Sequence, residues 1–252
     1  MDLGLSGRTV LVTGGTRGIG RATALAYAHE GARVAITWSS DEHAAHDVAA
    51  QITDAGGEAL ICRLELSDTA SIEQSVRDVV GRFGGLDVLV ANAVRWPSDA
   101  AGHLGDVPAD AWQQAVRINL EGTVGTVRAA IPHLTDSDAG RIVLISSGVS
   151  RDGMAGATAY ATTKAALDGL AAALKWELGA SGTLVNIVSP GFTETENNLT
   201  RFSDDIRQSV RVRTPSRALS TPADVAAAVL FLGSPANGNV TGTYLPVSGG
   251  LP

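Results

Sequence analysis

Arg8-Thr-Val-Leu-Val-Thr13, Gly14-Gly-Thr16-Arg17-Gly18-Ile19-Gly20, and a run through Ala24, Leu25 and Ala28 to Gly31 form the stretch whose reading decides the fold. Its first six residues are mostly apolar and β-branched, as in a strand buried on both faces. The final run has helical spacing. Glycines between a strand and a helix allow a tight turn and let an anion approach the helix N-terminus, where unpaired N–H groups and the dipole attract it. A purely structural βα turn would look similar, but the flanking strand and helix point to a pyrophosphate-binding turn.

The alternation continues along the chain. A second strand, Ala32-Arg-Val-Ala-Ile-Thr37, is followed by Trp38-Ser39-Ser40. Helices are expected over 41–55 and 70–83, and strands over 58–64, 87–90, 142–145, 183–188 and 244–247. Pro108 opens a long helix through Trp112, Val116, Ile118 and Leu120 that carries Asn119. Thr221-Pro222-Ala223-Asp224 starts the last helix, with a hydroxyl N-cap, proline at the first position and a carboxylate in the first turn. Strands and helices alternating through short connections predict an α/β architecture: a Rossmann-type doubly wound parallel sheet of about seven strands, with helices on both faces. No linker, repeat or low-complexity tract interrupts residues 1–252, so one domain is expected. Residues 192–217 are polar, show one short helix near 204–210, and read as a mobile cover over a site.

The end of the second strand bears on the ligand. A site for NAD usually has an acidic residue there for the ribose hydroxyl. Trp38, Ser39, Ser40 and nearby Arg17 would instead accept a 2′-phosphate, which favours NADP(H).

Chemistry is expected between Ser147 and Lys164. Tyr160 and Lys164 are four residues apart in an Ala- and Leu-rich helical run, on one face. At ~4 Å and an effective dielectric of ~20 their attraction is roughly 4 kcal/mol, about three pKa units, enough to bring a tyrosine from ~10 towards ~7. A proton donor near the working pH suits ketone reduction. Tyr-x-x-x-Lys alone is also a common surface pair. Here, however, Lys164 is one of only two lysines, and Ser146-Ser147-Gly148 sits just upstream at a strand end.

Composition removes other classes. Net charge is −7, which argues against nucleic acid or an anionic membrane as partner. The single cysteine, Cys62, rules out an internal disulfide and fits a reducing cytoplasm. Of the five histidines only His43 and His46 are close, and nothing nearby completes a metal site. No apolar run approaches a membrane span, and no charged-then-hydrophobic leader opens the chain. A soluble, cytoplasmic protein is expected.

Together these motifs resemble the short-chain dehydrogenase/reductase family, in its compact single-domain branch, from about Leu5 to Gly250. Thr13-Gly14-x-x-x-Gly18-x-Gly20 matches the cofactor turn. Asn119, Ser147, Tyr160 and Lys164 match the catalytic tetrad, with thirteen residues from Ser147 to Tyr160. Pro190-Gly191 with Thr195 matches the loop that holds the nicotinamide carboxamide. The resemblance implies an NADPH-dependent reductase in which Tyr160 donates a proton to a carbonyl oxygen oriented by Ser147. It implies that Lys164 lowers the Tyr160 pKa and binds the nicotinamide ribose, and that Asn119 positions a water leading to Lys164. Gly14, Thr16, Arg17, Gly18, Ile19 and Gly20 would face the phosphates, Leu66 the adenine, and Asn92, with Ala93, the ribose. Departures are Val94 in place of a glycine, Glu65 in place of the adenine-side aspartate, and the bulky Arg95-Trp96. A homotetramer, or at least a dimer, is also implied.

Arg95, Trp96, Ser147, Val149, Met154 and Phe192, with residues 197–199, are expected to line the substrate site. Broad aromatic faces suit a flat, multi-ring ketone, although Trp96 could equally pack a lid. The sequence is similar to tailoring ketoreductases of aromatic polyketide pathways in antibiotic biosynthesis, notably the angucycline type. The alternative is a β-ketoacyl carrier-protein reductase, which would use Arg95, Arg151 and Arg201 at the pocket mouth. A non-catalytic dinucleotide sensor is a further alternative, but a sensor has no need to keep tyrosine, lysine and serine together.

Overall fold

The protein is described by a computed structural model that covers residues 2–251. The first half alternates β1 (Thr9–Val12), α1 (Gly18–His29), β2 (Arg33–Trp38), α2 (Glu42–Asp54), β3 (Glu58–Arg63), α3 (Thr69–Phe83) and β4 (Val88–Ala91). Next come α4 (Ala109–Val116), a π turn at Arg117–Glu121, α5 (Gly122–Thr135) and β5 (Arg141–Ile145). A short α6 (Val149–Asp152) precedes the long α7 (Thr158–Leu178) and β6 (Leu184–Pro190). The chain ends with α8 (Glu196–Arg201), α9 (Asp204–Arg213), α10 (Pro222–Leu232) and β7 (Tyr244–Val247).

All seven strands are parallel, in the order β3-β2-β1-β4-β5-β6-β7. Alternating strand residues bury opposite faces. Leu11, Leu89, Ile142, Leu144 and Val185 meet Val79 and Phe83 of α3, Val127 and Leu134 of α5, and Leu167 and Leu174 of α7. On the other face Val10, Val12, Val34, Ile36 and Val90 meet Ala24 and Tyr27 of α1, Val48 and Ile52 of α2, and Val225 and Val229 of α10. The doubly wound sheet is therefore as expected. At α10 the anticipated cap forms as a full box: Thr221 Oγ1 accepts from Asp224 N and Asp224 Oδ2 accepts from Thr221 N.

Two elements depart from the sequence reading. The helix expected after Pro108 is interrupted by the π turn, which holds Asn119. In the expected cover the sequence showed one short helix, whereas α8 and α9 both form, capped by Thr195 and Ser203. Strand order reverses between β1 and β4, and in such sheets ligands bind outside the carboxyl ends at that switch. The glycine turn, Asn92, Ser147 and Gly191 all follow carboxyl ends of strands. No described helix is long and apolar enough to cross a membrane, and the described residues hold no group of three potential metal ligands.

Candidate active site

The glycine turn is held from below. Thr13 Oγ1 accepts from Asn92 N and Ala93 N, both at 2.9 Å. Asn92 Nδ2 donates to Thr13 O at 2.9 Å and Gly14 O at 3.1 Å. Gly14 and Gly18 have φ of 63° and 53°, and a Cβ at Gly20 would overlap the Gly14 carbonyl. No side chain of the N-cap residue Arg17 closes the start of α1. One anion does approach it: Glu196 Oε2 accepts from Gly18 N at 3.1 Å. Trp38 ends β2 half-buried, with Ser39, Ser40 and Arg17 exposed around the turn.

The floor lies between β5 and α7. Lys164 is 6% exposed, and its Nζ donates to Ile145 O at 2.7 Å. Ser146 Oγ returns a bond to Lys164 O at 3.1 Å. Ser147 Oγ accepts from Val149 N at 3.3 Å. Burial brings the Lys164 ammonium down to about 8. The Tyr160 phenol is pushed above its ordinary value by burial, against a smaller lowering from its hydrogen bond with Ser147. The expected acidification of Tyr160 by Lys164 is thus overturned. The ammonium sits 5.9 Å from the tyrosine ring centre and is turned to the Ile145 carbonyl, so desolvation outweighs attraction.

Asn119, also 6% exposed, makes a reciprocal pair with the Arg95 backbone: Arg95 N donates to Oδ1 at 2.8 Å and Nδ2 donates to Arg95 O at 2.9 Å. Its amide therefore anchors the loop that carries Trp96. The Trp96 ring lies 5.0 Å from the Tyr160 ring, tilted by 47°. The Arg201 guanidinium lies 4.5 Å over Trp96 and 5.7 Å from Phe202, whose ring packs edge-on against Phe192 at 5.3 Å. Arg201, at the end of α8, Trp96 and Tyr160 thus form one stack. Trp96 Nε1 is buried without a partner.

This arrangement can be compared with known proteins. The family described as enoyl-(acyl carrier protein) reductase matches residues 14–252. A 3-oxoacyl-acyl-carrier-protein reductase of Salmonella typhimurium is 35% identical over 250 residues, 99% of each chain. The chain belongs to the short-chain dehydrogenase/reductase family. It is a nicotinamide-dinucleotide-dependent oxidoreductase of that family. Among solved members, a short-chain dehydrogenase of Burkholderia cenocepacia J2315 in complex with NADP superposes with TM-score 0.90 at 36% identity, covering 98% of both chains. A 7α-hydroxysteroid dehydrogenase complexed with NADH and 7-oxo glycochenodeoxycholic acid superposes with TM-score 0.92 at 30% identity, covering 99% of this chain and 96% of that one.

The family's dinucleotide fits the turn, because the first amides of α1 lack a side-chain cap from Arg17 and Gly20 leaves no Cβ in the cradle. The other residues expected to meet the dinucleotide have partners within the chain. The Asn92 amide, expected at the ribose, is spent on the turn's own carbonyls. Glu65, expected beside adenine, accepts from Ser67 N and Oγ and so closes its own turn. Leu66 is buried at 9% exposure, against Gly122. Thr195 caps α8 by accepting from Asn198 N, while Pro190 O accepts from Gly148 N and Gly191 N donates to Val247 O. Val149 is half-buried and Met154 exposed. The sequence reading missed Glu196 and Phe202. The acidic residue after Thr195 was the one available signal for Glu196; Phe202 had none, since its contact crosses a helix.

Proposed function

We propose that this oxidoreductase is an NADPH-dependent ketoreductase that converts a ring ketone of a fused-ring substrate into a secondary alcohol, as in angucycline-type polyketide tailoring in antibiotic biosynthesis. The carrying observation is the Trp96 ring over Tyr160, 5.0 Å away, with the Phe192–Phe202 pair joined to Trp96 through Arg201. Flat aromatic surface next to the proton donor favours a planar substrate. The likeness to a hydroxysteroid dehydrogenase holding a fused-ring ketone supports the same class.

The roles follow from position. Ser147 donates a hydrogen bond to the carbonyl oxygen and Tyr160 gives it the proton. Lys164, near pKa 8, can take up or release a proton close to neutral pH. Asn119 holds the Arg95-Trp96 loop in register. The hydride is supplied by NADPH when bound. Gly14, Thr16, Arg17, Gly18, Ile19 and Gly20 would hold its phosphates, Arg17, Ser39 and Ser40 beside Trp38 its 2′-phosphate, and Pro190, Gly191 and Thr195 its carboxamide. Trp38→Asp should move preference towards NADH; an unchanged ratio of NADPH to NADH turnover would refute the assignment of that strand end.

Residues 192–217 act as the lid, hinged where Thr193 pairs with Ser220 and braced by Glu194 to Arg211 at 3.1 Å. NADPH oxidation with phenanthrenequinone, set against an acetoacetyl thioester, tests the substrate class; turnover of the thioester alone would eliminate the fused-ring reading. The second reading, a carrier-protein reductase, is favoured by exposed Arg95. It is weakened because Arg201 lies on Trp96 and Arg151 is paired with Asp168. The same proposal has the protein work in the cytoplasm as a homotetramer or dimer, and light scattering would test the assembly.

A further inference from the structure

Tyr244 belongs to β7, the edge strand, and its motif played no part in the sequence reading. Its half-buried hydroxyl sits at a junction. It lies 2.6 Å from Ser189 Oγ and 3.2 Å from Ser150 Oγ, and donates to the Ser147 carbonyl at 3.4 Å. A phenol has one hydrogen to give and two lone pairs. With its hydrogen on Ser147 O, the hydroxyls of Ser189 and Ser150 become its donors. Ser189 immediately precedes Pro190-Gly191, so one oxygen ties the backbone of Ser147 to the carboxyl end of β6.

The ring is held as well. The Arg151 guanidinium lies 3.4 Å over it and pairs with Asp168 Oδ2 at 3.3 Å. Asp168 is one helical turn beyond Lys164 on α7. The next peptide is fixed too, since Gly148 N donates to Pro190 O at 3.0 Å. With its carbonyl and the following amide both held, Ser147 has little freedom to redirect its Cα–Cβ bond.

We propose that Tyr244 is a positioning residue that aims the Ser147 hydroxyl by holding the Ser147 carbonyl against the end of β6. This rests on the reading of Ser147 as the hydrogen-bond donor to the substrate carbonyl. Among the described residues the Tyr244 hydroxyl bonds Ser147, Ser150 and Ser189 and neither Tyr160 nor Lys164, so it reaches the proposed chemistry through Ser147.

Tyr244→Phe removes the hydroxyl and keeps the ring under Arg151. With NADPH and phenanthrenequinone, kcat should fall roughly tenfold, the scale of a small misplacement of a catalytic group. KM and the NADPH Kd, read by nucleotide fluorescence, should stay unchanged. The alkaline limb of kcat should move to higher pH, because reduction needs the protonated Tyr160 phenol and Ser147's hydrogen bond lowers that phenol's pKa. The charges flanking the phenol, Lys164 on its own helix and Arg201 beyond Trp96, are unaltered by the change. Unchanged kcat, or a fall without movement of the limb, would overturn the proposal and leave Tyr244 a structural brace. Ser189→Ala, which removes one donor from the phenol, gives the same readout should Tyr244→Phe not fold. Ser147→Ala separates the two readings: retained turnover there would refute the ketoreductase assignment itself, whatever Tyr244 does.

Discussion

The floor of the site and its roof are built by different physics. The floor, from β5 to α7, is set in the core: Lys164 is buried, and α7 buries seven residues along its length. The roof, from α8 to α9, buries none, and rests on the ring contacts among Arg201, Trp96, Phe202 and Phe192. A close-packed core holds catalytic groups to a single geometry. A stack of partly exposed rings, worth about 0.5–1.5 kcal/mol per contact, can open to admit a substrate. Under the proposed function, the contrast puts chemistry on the rigid side and selection on the yielding one.

The largest effect should come from the floor. Tyr160→Phe removes the proton donor and should lower kcat about a thousandfold while NADPH binding, read by fluorescence, is unchanged. Turnover near that of the wild type would show that the floor does not carry the chemistry.

Next in size is the electrostatic consequence of a dry floor. Lys164 titrates at about 8 in the folded protein, below its ordinary 10.5. Below pH 8 both states carry the proton and the cost of burying the charge is felt in full; between those values only the unfolded chain binds it, so stability rises with pH. Relative to Lys164→Met, the wild type should gain roughly 2–3 kcal/mol of unfolding free energy across that window, measured by denaturant titration at each pH. A constant difference would mean that the floor is wet.

The roof should respond more mildly and selectively. Trp96→Ala should raise KM for phenanthrenequinone about tenfold, leaving turnover of an acetoacetyl thioester as it was. Equal loss with both substrates would make the stack a mere latch. The smallest effect should lie where roof meets cofactor turn. Glu196 places a carboxylate on Gly18 N, at the helix end that attracts phosphate. Glu196→Gln should therefore tighten NADPH about two- to fivefold, as measured by fluorescence titration. Weaker binding would show that the carboxylate supports the cofactor rather than competing with it.

Legibility in the sequence follows the same division. The glycine turn, the Tyr160–Lys164 spacing and the Thr221–Asp224 cap are local, set by residues within a turn of one another, and all three form where expected. The pKa of Tyr160 was misread because spacing along a helix gives proximity but not the direction of an ammonium, which here turns to Ile145 O. Asn92 shows the same limit: its residue type suited a ribose, but spacing along the chain could not show that its side-chain amide bonds a carbonyl 78 positions earlier.

By itself, then, the sequence determined the parallel α/β sheet, the glycine turn between β1 and α1 and the family, because hydrophobic period and short motif spacing encode them within single elements. Tertiary structure alone decided that Arg201 covers Trp96, that Glu196 reaches Gly18 across 178 positions, and that Tyr244 at the far edge ties down Ser147. Those contacts join distant segments through side-chain direction, which no periodicity records.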